Sequence, residues 1–166
     1  MKKTSTFIAI LIMAVACSPS VNAQYAFVEN KTIVSPYLHP SKEIENTRPL
    51  REFMKEFPGA TDDRWVKTRR GFLVCFTSKG ILNRAWLTKT GYCETLIKYY
   101  TEKELPADVR HQVKSAYYDY SIASVQEVTT NGTTAYLVAI EDKTTCQVIR
   151  VVNGEMDVWQ EHLKAN

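Results

Sequence analysis

Short turn signals recur along the chain: Arg70-Gly71, Lys79-Gly80, Thr90-Gly91, Asn131-Gly132, Asp142-Lys143 and Asn153-Gly154. The stretch between consecutive signals has room for one strand. A two-residue turn joins antiparallel neighbours, because a parallel connection needs a crossover of about a dozen residues or more. Asn131-Gly132 and Asn153-Gly154 are the firmest hairpin signals, since a type I′ turn needs positive φ at both central residues. The turns fall into two sets. The first members are 61 positions apart and the next two pairs 63 apart, while Pro49 and Pro106, which lead the sets, are 57 apart. A drift of four residues is about one helical turn, as though the second helix were longer. The pattern predicts an α+β protein of two tandem helix-plus-antiparallel-sheet units, helices packed on the sheet.

Leu50, Phe53, Met54 and Phe57 stand at i, i+3, i+4 and i+7, the apolar stripe of a helix facing a core. Pro49 suits its first turn and Pro58-Gly59 ends it. Val109, Val113, Ala116 and Tyr117 make the corresponding stripe after Pro106. Strands are predicted at about 63–69, 72–78, 81–88 and 92–99, then at about 122–130, 133–140, 144–152 and 155–160. Phe72, Val74 and Phe76 share one face of their strand and Leu73 and Cys75 the other, as in a central strand.

Met1-Lys2-Lys3, an apolar run from Thr6 to Ala16 and the small-residue site Val21-Asn22-Ala23 read as a secretory signal peptide over residues 1–23. Cys17, after Ala14-Val15-Ala16, gives lipoprotein processing as the minority alternative. Residues 24–47 carry Pro36 and Pro40 without a sustained period and read as an extended leader, with a short strand at Thr32-Ile33-Val34. Residues 48–163 read as one domain of two repeats, 48–102 and 103–163. Of 21 basic residues, Lys2 and Lys3 leave with the signal, so 19 face 18 acidic ones at a net charge of +1. That balance lacks the footprint of a nucleic-acid binder. No further segment reaches membrane-spanning length. A periplasmic or secreted protein is expected.

Cys75, Cys93 and Cys146 remain after cleavage, an odd number for an oxidising compartment. Cys75 and Cys93 lie on strands with a third between them, so a meander would hold those backbones about 9.6 Å apart. A disulfide needs Cα atoms within about 7 Å, and the expected role is that of small buried hydrophobes. His39, His111 and His162 are scattered, so no metal and no cofactor are expected. A pairing of Cys75 or Cys146 with His111 reads as core thiols beside a solvated histidine, because catalytic thiols need partial exposure. No nucleophile elbow or phosphate-binding loop occurs. Trp65, Trp86 and Tyr99 or Tyr100 sit on predicted strands. Exposed Tyr and Trp on a rigid sheet anchor protein interfaces. These four are the candidate partner-binding residues, and one of Tyr99 and Tyr100 should be exposed if the other is buried.

Phe57-Pro58-Gly59-Ala60 followed by Trp65, the Gly71 hairpin, and Arg84-Ala85-Trp86-Leu87 leading to Thr90-Gly91 form a motif pattern that carries a family resemblance. Leu105-Pro106-Ala107-Asp108-Val109, and Val125-Gln126-Glu127-Val128 before Asn131-Gly132, extend it. From about Leu50 to Trp159 the chain resembles the small exported bacterial family called PepSY-like or β-lactamase-inhibitor-protein-like (BLIP-like). The resemblance implies helices on antiparallel sheet, part of it open to a partner, with no agreed enzyme activity, metal or cofactor. The expected function is a non-enzymatic binding module, in its furthest form inhibitory, that engages an envelope or secreted protein through a sheet face. A secreted enzyme of unrecognised type, or a structural envelope protein, is the alternative.

Overall fold

The computed structural model describes residues 47–164, Ile44 and the backbone of His39–Pro40. The signal sequence, its cleavage site, Cys17 and the strand expected at Thr32-Ile33-Val34 lie outside the described residues. The elements run β1 (His39–Pro40), α1 (Arg48–Glu56), β2 (Thr61–Lys67), β3 (Gly71–Ser78), β4 (Ile81–Thr88) and β5 (Cys93–Tyr100). A 3-10 turn (Glu102–Glu104) and α2 (Ala107–Ala116) follow, then β6 (Ser121–Thr130), β7 (Thr133–Glu141), β8 (Thr145–Val152) and β9 (Glu155–Leu163).

All the strands join one antiparallel sheet in sequence order, β1 to β9. This overturns the expected α+β pair of tandem helix-plus-sheet units. The sheet does not stop between the two sets of turns: β5 pairs with β6 at six positions, from Thr95 opposite Thr130 to Tyr100 opposite Val125. The helices are only 9 and 10 residues long, so the architecture is predominantly sheet. An unpaired edge on each unit would have left rows of N–H and C=O groups open, and pairing β5 with β6 removes both edges. The drift between the turn sets is not an extra helical turn either, because α2 exceeds α1 by one residue. Part of it lies in β6, which has 10 residues where β2 has 7.

Local chemistry accounts for the elements. The Thr47 hydroxyl accepts from the Leu50 N–H at 3.4 Å and Pro49 stands in the first turn of α1. The Phe57 N–H closes the helix on Phe53 O at 2.8 Å. Thr101 and Glu104 form a capping box over the 3-10 turn, and Arg110 of α2 reaches Glu102 at 2.6 Å. Asn131-Gly132 and Asn153-Gly154 both have positive φ, and so does Lys79-Gly80. Asp142 makes its turn with a side chain, Oδ1 accepting from the N–H groups of Thr144 and Thr145 at 2.7 and 2.6 Å.

Residues opposed across an antiparallel pair share a face, and alternate residues along a strand change face. By that rule both helices lie on the same side of the sheet. Phe53 of α1 is 2% exposed and packs with Trp65, Val74, Phe76, Ala85 and Leu87. Its ring centroid is 5.0–5.3 Å from those of Phe57, Trp65 and Phe76. Val109 and Val113 of α2 pack with Tyr100, Val125, Val138, Ile140 and Ile149. Two stripe residues lie elsewhere. Met54 is 63% exposed and Ala116 is exposed, because helices this short present a stripe only about one residue wide to the sheet.

Candidate partner-binding face

The side of the sheet away from the helices carries its own apolar cluster. Ile97, Val128 and Leu137 are buried there, with Trp86, Tyr99 and Val148 packed around them. No residue of either helix belongs to this cluster. The register explains its continuity. Trp86 stands opposite Leu73, Ile97 opposite Arg84, and Tyr99 opposite Gln126, which in turn faces Leu137. Leu82, the partner of Tyr99 in register, adds a 45% exposed apolar side chain to the same face.

An arginine stacked on an aromatic ring stands at each end. The Arg84 guanidinium carbon lies 5.3 Å from the Tyr99 ring centroid, and that of Arg150 lies 4.6 Å from the Trp159 centroid. Trp159 is 40% exposed. It reaches this face because the β8–β9 register shifts between Val148 and Ile149, making it the extra residue of a bulge. Arg150 is also paired with Asp157, Nε to Oδ1 at 2.9 Å and Nη2 to Oδ2 at 2.8 Å. Burial pushes the Tyr99 hydroxyl above its ordinary pKa, with Arg84 opposing the shift.

The four candidate anchors divide by strand parity. Trp86 and Tyr99 lie half-buried on the helix-free face. Trp65, opposite Val74, and Tyr100, opposite Val125, lie under the helices at 2% and 4% exposure. Trp65 donates from Nε1 to Asp63 at 2.6 Å, and the Tyr100 hydroxyl donates to Glu127 at 2.7 Å. Their indole and phenol groups are satisfied within the fold. Sequence reasoning passed over Arg84, Leu82, Arg150 and Asp157. The available signal was that Leu82, Arg84 and Trp86 alternate along one strand, which places an arginine among exposed apolar groups.

Burial works against the thiolate form of Cys75 and Cys93. Burial raises Cys93 to about 12, with Glu56 and Glu94 adding to the shift, and burial raises Cys75 despite its arginine neighbours. His111 is exposed on α2, on the opposite side of the sheet from Cys75. The residue that the register places opposite Cys146 is His162. Among the described residues no group of three metal-ligating side chains stands together, and no helix is long and apolar enough to cross a membrane. A shallow depression beside α1, lined by Arg48, Glu52, Lys55, Glu56 and Thr90 to Tyr92, holds no residue of the helix-free face.

No family model and no curated protein matches the chain. Solved structures do. A BLIP-like protein from Bacteroides fragilis is 17% identical with a TM-score of 0.57, covering 78% of this chain and 90% of that one. A DUF2874 family protein from Bacteroides uniformis is 14% identical with a TM-score of 0.55, covering 70% of this chain and 87% of that one. A protein from Bacteroides eggerthii with a provisional periplasmic assignment is 17% identical with a TM-score of 0.55, covering 70% of this chain and 86% of that one. At such identities the likeness is one of fold, and this chain shares the fold of BLIP-like and DUF2874 proteins.

Proposed function

We propose that this chain is an exported, non-enzymatic binding module that engages another protein through the helix-free face of its sheet. One observation carries the reading: an apolar centre of Ile97, Val128 and Leu137, flanked by two arginine–aromatic pairs, with no helix among the described residues packed on it. Aromatic residues and arginine are the side chains most enriched where interfaces concentrate their energy. The partner-contacting residues are Trp86 and Tyr99 with Arg84, Leu82 and Trp159, while Trp65 and Tyr100 act from the core. The raised pKa values of Cys75 and Cys93 speak against either of these two as a nucleophile. Export to the periplasm or beyond rests on the leader sequence, and the periplasmic assignment of a structural neighbour supports it. Placement in the PepSY-like family rests on sequence motifs, and inhibition is the form the activity takes where the partner is an enzyme.

Photo-reactive residues introduced singly at positions 86, 99 and 159, with position 54 as control, test the reading in the native cell envelope. Adducts to one protein from the first three positions, and none from position 54, are expected. Adducts from position 54 alone would place the interface on the helix side. Turnover of a hydrolase substrate by the pure protein, abolished by one polar substitution, would overturn the non-enzymatic assignment.

A further inference from the structure

We propose that the protein seated on this face presents an Asp or Glu side chain to Arg84, whose guanidinium is held over the Tyr99 ring. The inference rests on the protein-binding reading above and specifies the chemistry the partner brings. One register row places Arg64, Cys75 and Arg84 side by side across β2, β3 and β4. The two arginine backbones are therefore about 9.6 Å apart, twice the strand spacing. Neither arginine has a carboxylate partner among the described residues. The nearby Asp63 instead accepts from the Trp65 indole, which points into the core.

Arg84 is nonetheless held in place. Its guanidinium carbon lies over the Tyr99 ring, 5.3 Å from the centroid, and Cys75 is its cross-strand neighbour in register. Stacking occupies the flat face of a guanidinium, and its N–H donors lie in the plane, where they suit the two oxygens of a carboxylate. The chain itself shows the completed arrangement on β8 and β9. There Arg150 is stacked on Trp159 and bonded twice to Asp157. At β4 and β5 the arginine and the aromatic ring are present and the acid is missing. Trp86 and Leu82 flank the position, so a docked partner would exclude water and strengthen the ion pair.

The test is selection of a random peptide library, displayed on phage, against the immobilised mature protein. Enriched peptides are expected to share an Asp or Glu beside an apolar or aromatic residue. A synthesised winner should lose at least about tenfold in affinity with Arg84→Gln, and a comparable amount when its own acid becomes the amide. The two losses should be non-additive, and binding should weaken as salt rises. Arg84→Lys, which keeps the charge and loses the fork, carries the test if Arg84→Gln fails to give the native melting curve. Winners that lack an acid yet require Trp86 would overturn the carboxylate and leave the binding face standing. Winners indifferent to Trp86, Tyr99 and Arg84, or no enrichment at all, would overturn both. Binding to phosphatidylglycerol vesicles that Arg84→Gln abolishes would reassign the arginine to lipid phosphate and overturn the protein carboxylate.

Discussion

Replacing Phe53 by Ala separates the helix-side core from the binding face. Phe53 is 2% exposed and touches Phe57, Trp65 and Phe76 at centroid distances of 5.0–5.3 Å. Truncating a buried Phe costs about 3–5 kcal/mol, and three aromatic pairs at about 0.5–1.5 kcal/mol each place this site in the upper part of that range. Whole domains have about 5–15 kcal/mol, so a third or more of the stability would go. With m near 2 kcal/mol per molar urea, the unfolding midpoint should fall by about 2 M. An isolated helix needs about 12–15 residues to persist, so α1, with 9 residues, should detach and expose Trp65 to water. A red shift of indole emission should therefore accompany the loss. Met54→Ala, one residue along and 63% exposed, should change stability by no more than about 0.5 kcal/mol. Equal effects at the two positions, or an unmoved midpoint for Phe53→Ala, would refute the placement of α1.

Gly91→Ala should destabilise by more than Gly154→Ala in thermal melts. Both need positive φ, at +92° and +79°, but a Cβ at Gly91 would also meet the Pro49 Cα at 2.8 Å and the Glu52 Cβ at 2.9 Å, while one at Gly154 meets nothing within 4 Å. Cys93 should resist alkylation at pH 9 in the folded protein and react at once in urea. Because its folded pKa is raised from 9.0 to about 12, its contribution is complete below pH 9 and is lost as pH rises toward 12. For Asp142 the sign is opposite. The N–H groups of Thr144 and Thr145 lower its pKa from 3.8, so its contribution is present above pH 3.8 and lost as pH falls below it. NMR titration of the carboxyl should show the lowered value, and Asp142→Ala should flatten acid unfolding in that range.

The strands could be read from sequence because their turns are made by local chemistry. Asn131-Gly132 needs left-handed backbone at both positions, and few other dipeptides accept it as readily. The joining of β5 to β6 could not. Its seam is marked by the Thr95–Thr130 hydroxyl contact at 3.1 Å and the Lys98–Glu127 pair at 2.7 Å. Such residues read in sequence as solvated polar positions, and only register brings them together. Register also decided the fate of the tryptophans. Trp65 faces Val74 and Trp86 faces Leu73, on opposite sides of the sheet. Because β3 is apolar on both faces, parity cannot be assigned until the pairing is known.

Strand order along the sheet follows the order of synthesis, with each helix inserted between strands that end up adjacent. Every pairing therefore closes a loop of one turn or one short helix. Loop-closure entropy stays low at each step, and chains rich in such near contacts fold faster than those that wait for distant ones. A chain delivered N-terminus first can lay each strand on the last as it emerges. Until β9 arrives, the growing edge is always the newest strand, and the pairing it awaits comes from the next segment of its own chain.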